Sequence, residues 1–117
     1  MKAKAIARFV RQSPRKVRLV VDQIRGKSVN DAYALLQFST KGAAEQVNKT
    51  LRSAVANAQV KSQEQGAALD LDDLIVREAF VDQGPALSRW RAAAQGRPAP
   101  IRKQTSHITV VVDRKDA

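Results

Sequence analysis

Residues 83–105 read QGPALSRWRAAAQGRPAPIRKQT, and their reading decides the fold because this stretch cannot build a core of its own. It contains Gly84, Gly96, Pro85, Pro98 and Pro100, few large apolar residues, and the basic residues Arg89, Arg91, Arg97, Arg102 and Lys103. An unstructured connection of about twenty residues is uncommon inside a compact domain. Its flanks, Leu74 to Val81 and His107 to Val112, are β-branched and apolar, as strands are. If both flanks continue as arms that meet near Ala92 to Gln95, each arm of about eleven residues reaches roughly 35 Å at about 3.3 Å per residue. That is well beyond the radius of gyration of about 13 Å expected for a domain of this size. The stretch is thus either a functional or disordered loop, or a two-stranded ribbon that projects well outside the body. An isolated two-stranded ribbon is marginal in water, so such a hairpin needs a surrounding partner to order it.

Upstream of the hairpin the chain alternates Lys2, Lys4, Ile6 and Arg8 with Ala3, Ala5, Ala7 and Phe9, the period of a half-buried strand. Ser13-Pro14 is a helix start and Gly26 a helix stop, which predicts a first helix over Pro14 to Arg25. Its residues Val17, Val20, Val21 and Ile24 fall on one stripe, and Arg15, Arg18, Asp22 and Arg25 on the other side. Asn30 or Ser28 can cap a short second helix, and Ser39-Thr40 a third, longer one over Lys41 to Lys61. With aromatics at only 4%, the core must be mainly Ala, Val, Leu and Ile, with Phe9, Tyr33, Phe38 and Phe80 as the larger fillers. The expected architecture is α+β: three helices packed on a three-stranded antiparallel sheet, with a long protruding β-hairpin. A chain of 117 residues suits one domain, read as a body of residues 1–82 and 106–117 with the hairpin at 83–105.

Charge is the other strong signal. There are 21 Lys and Arg against 11 Asp and Glu, a net charge of +10, with a pI near 10.7. Residues 1–27 alone hold nine basic side chains and one acid, Asp22. Residues 67–84 reverse the sign with Asp70, Asp72, Asp73, Glu78 and Asp82 against Arg77, and the tail is basic again. The cluster Arg11, Arg15, Lys16, Arg18, Arg25 and Lys27 cannot be neutralised by its neighbours in sequence, so an anionic polymer is the economical partner. Trp90 between Arg89 and Arg91 suits stacking on unpaired bases.

Several classes are disfavoured. The chain has no cysteine, which removes disulfides, thiolate metal sites and a cysteine nucleophile. His107 is the lone histidine and reads as a hydrogen-bonded structural residue or a phosphate contact rather than a general base. The run Asp70, Asp72, Asp73 lacks the glycine and closing glutamate of a calcium loop and reads as a solvated turn. Gly26-Lys27-Ser28 lacks the first glycine of a phosphate-binding loop, because position 21 is Val21. No metal, cofactor or catalytic residue is expected, and neither is a membrane span or a signal peptide. The rival class is a DNA-binding helix-turn-helix module built on the first two helices, which would have no use for a basic, proline-containing ribbon.

Five ordered segments carry a family resemblance: Ser-Pro-Arg-Lys-Val-Arg-Leu-Val at 13–20, Ile-Arg-Gly-Lys at 24–27, Ser-Ala-Val-Ala-Asn-Ala at 53–58, Val-Asp-Gln-Gly-Pro at 81–85 and Thr-Ser-His-Ile-Thr-Val-Val-Val at 105–112. Together they resemble the bacterial form of ribosomal large-subunit protein twenty-two, over about Arg8 to Val112. The resemblance implies a non-catalytic protein of the cytoplasmic ribosome that binds large-subunit ribosomal RNA and braces its assembly. It places the hairpin tip in the wall of the peptide exit tunnel. RNA contacts are implied for Arg8, Arg11, Ser13, Arg15, Lys16, Arg18, Arg25, Lys27, Arg89, Arg97, Arg102, Lys103 and His107. The tunnel tip is implied at Trp90, Arg91, Ala92, Ala93, Ala94, Gln95 and Gly96, where two positive charges usual in the family are missing. Implied partners are the RNA, neighbouring large-subunit proteins and, transiently, the nascent peptide, with no homo-oligomer. Because the core lies elsewhere, deleting Leu87 to Arg97 is expected to leave cooperative thermal unfolding intact, and its loss would assign the hairpin to the core.

Overall fold

The computed structural model describes residues 2–66, 68–92, 96 and 98–115, and along 87–92 and 98–102 the backbone alone. Among these residues the chain runs β1 (Ala3–Val10), α1 (Pro14–Ile24), α2 (Val29–Gln37), α3 (Ala44–Glu64), a 3-10 turn (Leu71–Asp73), β2 (Leu74–Gln83), β3 (Leu87–Ala92), β4 (Pro98–Lys103) and β5 (Ser106–Arg114). β1, β5 and β2 form an antiparallel sheet in that spatial order, and β3 with β4 forms a separate two-stranded ribbon. The last strand in sequence is thus the middle strand of the body. Its run Ile108 to Val112 is buried along its whole length, consistent with a strand that has neighbours on both edges.

The helices cover one face of the sheet. α1 lies over β2, α3 over β1 and β5, and α2 touches both other helices. The stripe Val17, Val20, Val21 and Ile24 is fully buried against Val76 and Val81 of β2, Val47, Leu51, Ala54 and Ala58 of α3, and Ile108, Val110 and Val112 of β5, in one apolar cluster. α3 also clasps the edge strand: Asn57 Nδ2 donates to Lys4 O at 2.9 Å and Lys61 Nζ to Lys2 O at 2.6 Å.

The aromatic residues are not the fillers that composition suggests. Phe9, Phe38 and Phe80 are 61%, 80% and 42% exposed, and Tyr33 packs only at the margin of the cluster. There burial raises its phenol above the ordinary value, with Arg52 opposing. Each exposure has a local cause. Phe38 is the C-cap of α2 and lies past its last turn. Phe80 is paired with Thr109 on the helix-free face of the sheet. Phe9 is turned over by a bulge: β1 pairs Ala7 with Ile108 and Val10 with Ser106, so Arg8 and Phe9 together face His107 and the alternation changes phase. Val10 is buried in place of Phe9.

Boundaries differ in small, physical ways from the sequence pattern. Arg25 caps α1 in an extended conformation and Gly26 follows at φ 81°. The chain then pairs with the outer edge of β2, Gly26 N–H to Val76 O and Val76 N–H to Lys27 O, each at 2.9 Å. Ser28 rather than Asn30 caps α2, its hydroxyl accepting from Asp31 N–H at 3.2 Å. Ser39 accepts from Lys41 N–H inside the connecting loop, so α3 starts three residues later than expected, at Ala44, and runs on to Glu64.

The ribbon leaves the body between β2 and β5, with Leu87 opposite Lys103 at its base and Ala92 opposite Pro98 at the far end. The molecule is correspondingly long, 66 × 27 × 17 Å with a radius of gyration of 17.6 Å. At the junction Gly84 N–H donates to Thr105 O at 2.9 Å, and Thr105 Oγ1 donates to Pro85 O at 2.6 Å. A Cβ at Gly84 would lie 2.4 Å from Thr105 Oγ1 and 3.3 Å from the His107 ring, whereas one at Gly42 would meet nothing closer than 3.9 Å. Gly84→Ala is therefore expected to destabilise the fold by about 1–3 kcal/mol in urea unfolding, and Gly42→Ala to leave the midpoint nearly unchanged. Equal midpoints for the two variants would contradict this junction.

Candidate nucleic-acid interface

Three segments far apart in sequence converge at the base of the ribbon. Arg11, Gln12 and Ser13 come from the β1–α1 connection, Lys16 and Leu19 from the first turns of α1, Lys41, Gly42 and Ala43 from the α2–α3 loop, and Lys103 and Gln104 from the end of β4. They line an open cleft of about 870 Å³. Four of the lining residues, Arg11, Lys16, Lys41 and Lys103, are cationic, and all four are exposed.

The cleft also holds the start of a helix. Ser13 is the N-cap of α1, with extended backbone and no capping hydrogen bond from its side chain, and no acidic residue occupies the first turn. Unsatisfied amides and the positive end of the helix dipole favour an anion at such a place. The carboxamide oxygen of Gln12 is shielded from solvent and has no hydrogen-bond partner among the described residues, so an acceptor stands beside the cations.

The basic face of α1 divides into two parts that sequence reasoning could not separate. Arg15 and Lys16 are exposed. Arg18 and Arg25, by contrast, reach back to β2: Arg18 donates through Nε and Nη2 to Val81 O at 3.3 and 2.9 Å, and Arg25 to Ala79 O at 2.9 and 2.5 Å. Arg25 also pairs with Asp22 at 2.9 Å. These two guanidiniums satisfy carbonyls of an edge strand and tie helix to sheet, while still being partly exposed.

The remaining sequence-predicted residues lie at other places on the body and on the ribbon. Arg8 is exposed at the bulge and Lys27 is exposed after α1, beside a second cleft with Gln23, Asp31, Phe38 and Lys41. His107 accepts the Phe9 N–H at Nδ1, 3.1 Å away, and the Phe9 ring stands perpendicular to it with centroids 5.1 Å apart. Lys103 is in the cleft. For Arg89, Trp90, Arg91, Ala92 and Arg102 the strand backbone is described but the side chains are not, and Ala93, Ala94, Gln95 and Arg97 lie outside the described residues. Gly96 has φ 71°, a conformation glycine adopts without strain.

Lys41, Gly42 and Gln12 are members of the cleft that the sequence did not single out. Lys41 follows Ser39-Thr40 and reads as the opening of a helix, and only the late start of α3 leaves it in the loop. The acids at 70–73 form a turn: Asp70 caps the 3-10 segment by accepting from Asp72 N–H at 3.0 Å, and Asn30 donates to Asp72 at 2.6 Å. No group of His, Asp and Glu among the described residues could hold a metal ion, and no helix is long and apolar enough to cross a membrane.

The described residues thus form a small α+β body with a basic cleft at the base of a projecting two-stranded ribbon. Residues 5–113 match the family model described as ribosomal protein L22p/L17e. The chain is 61% identical over 113 residues to the large ribosomal subunit protein uL22 of Desulfitobacterium hafniense strain Y51, covering 97% of this chain and 95% of that protein. It is 53% identical over 116 residues to the protein of the same name from Bifidobacterium longum strain DJO10A, covering 99% and 98%. The chain belongs to the ribosomal protein L22p/L17e family, a family of structural ribosomal components rather than of enzymes.

Proposed function

We propose that this chain is a structural component of the large ribosomal subunit that binds ribosomal RNA through the cleft at the ribbon base and passes its hairpin between RNA segments. The observation that carries the reading is the convergence of Arg11, Lys16, Lys41 and Lys103 from separate segments around the open N-terminus of α1. Phosphate contacts at such a site fix position and register. One domain made of body and hairpin would then join RNA elements distant in sequence: the body on one, the ribbon among others. Neighbouring large-subunit proteins would share this surface, and the tip, with Trp90 to Gly96, would lie in the wall of the peptide exit tunnel, where the nascent chain passes it. No catalysis is assigned.

The helix-turn-helix alternative is less well supported. α2, which would have to serve as the recognition helix, contains no basic residue and carries Asp31 in its first turn, unfavourable for insertion into a groove walled by phosphates.

The test is a salt series on in vitro transcribed large-subunit ribosomal RNA. Replacing Lys16, Lys41 and Lys103 together by Gln is expected to lower the affinity and to flatten the slope of log affinity against log salt by about two to three units, at 0.7–0.9 per lost phosphate contact. An unchanged slope would remove the cleft from the interface. Preference for duplex DNA over this RNA at fixed salt would favour the rival.

A further inference from the structure

We propose that Phe9 is a stacking platform for an unpaired RNA base, built by the bulge in β1 opposite His107. The inference deepens the RNA-binding reading and rests on it.

Phe9 is the only non-glycine residue with positive φ among the described residues, at 58°. That left-handed conformation is disfavoured for any side chain with a Cβ and worse for a bulky one. Continued alternation along β1 would have put Phe9 on the buried side with Ala3 and Ala5. Instead the two-for-one pairing of Arg8 and Phe9 against His107 sends the ring outward and the smaller Val10 inward. Bulges of this kind re-aim side chains beside functional sites, and strained backbone persists only where surrounding contacts over-determine it.

Those contacts are present. Phe9 N–H donates to His107 Nδ1 at 3.1 Å, the two rings meet at 87°, and the His107 ring is itself seated against the backbone of Gly84 at the ribbon base. The ring is thus held in orientation while 61% of the residue stays open. Its sequence neighbours Arg8 and Arg11 are both exposed cations, with Arg11 in the cleft. An exposed aromatic ring with arginines one and two residues away in the chain fits an unpaired base on a phosphate backbone. An apolar protein surface would have to desolvate those charges without partners.

Two variants of the full chain test this against the same transcribed RNA. Phe9→Leu keeps an apolar side chain of similar size on the same backbone but removes the π face. Phe9→Gly removes the side chain and the reason for strain. Both are expected to bind about five- to a hundredfold more weakly, with the salt slope unaltered because no phosphate contact is lost. Phe9→Gly should nevertheless unfold at the same or a higher temperature than the parent, an outcome a purely structural Phe9 would not give. Phe9→Tyr should bind as the parent does. If the Leu and Gly variants bind normally while the Lys16, Lys41 and Lys103 triple variant is weakened, the RNA reading stands and the platform is overturned. If the parent chain itself shows no salt-dependent binding, both fall.

Discussion

The body depends on the hydrogen bonding of β5 to both of its neighbours. β1 and β2 are paired only through β5, and they are separated in sequence from it by almost the whole chain and by the hairpin respectively. The sheet therefore closes only after the chain has travelled out along β3, back along β4 and returned at Ser106. The hairpin is consequently held at both ends by strands of the core, and the junction residues Gly84, Thr105 and His107 have no room to spare. This explains how a ribbon with no apolar layer of its own can have a defined root. The root sits beside the start of α1, which is what brings Lys103 to the same cleft as Lys16 and Lys41.

The second constraint is electrostatic. A net charge of +10 on 117 residues is self-repelling, and the structure offers little internal relief. Among the described residues, Arg25 pairs with Asp22 and Lys49 with Glu45 at the surface, where such contacts are worth little, and Arg77 stands 3.9 Å from the more buried Asp113. Arg18 and Arg25 are used on carbonyls instead, whereas Arg11, Arg15, Lys16, Lys41 and Lys103 remain exposed. Apolar burial of Val, Leu, Ile and Ala holds the body, and under the proposed function the RNA would supply the opposing charge at the cleft.

Much of the local structure was legible in the amino-acid sequence because its causes are local. Ser13-Pro14, the stripe from Val17 to Ile24 and Gly26 define α1 to within a residue, and the glycine and proline content of 83–105 marks the ribbon. The spatial order of the strands was not legible, since a period of two states that a strand has two faces and not which strand lies beside it. The alternation alone puts Phe9 on the buried side of β1, but one extra residue at a bulge reverses it and leaves no mark in composition. The roles of Arg18 and Arg25 depend on the carbonyls of Val81 and Ala79, more than fifty residues away. Lys41 was hidden by a loop that reads as a helix start. The basic character of the site was therefore apparent early, but its actual membership depended on tertiary neighbours.

The central claim is that the body is complete by itself while the ribbon is completed by RNA. Amide hydrogen exchange measured on the free protein and on its complex with large-subunit ribosomal RNA tests this most directly. The account predicts that amides of β1, β2 and β5 are strongly protected in both states, whereas those of Leu87–Ala92 and 101–103 exchange rapidly in the free protein and slow down by orders of magnitude in the complex. Equal protection of the ribbon in both states would contradict it.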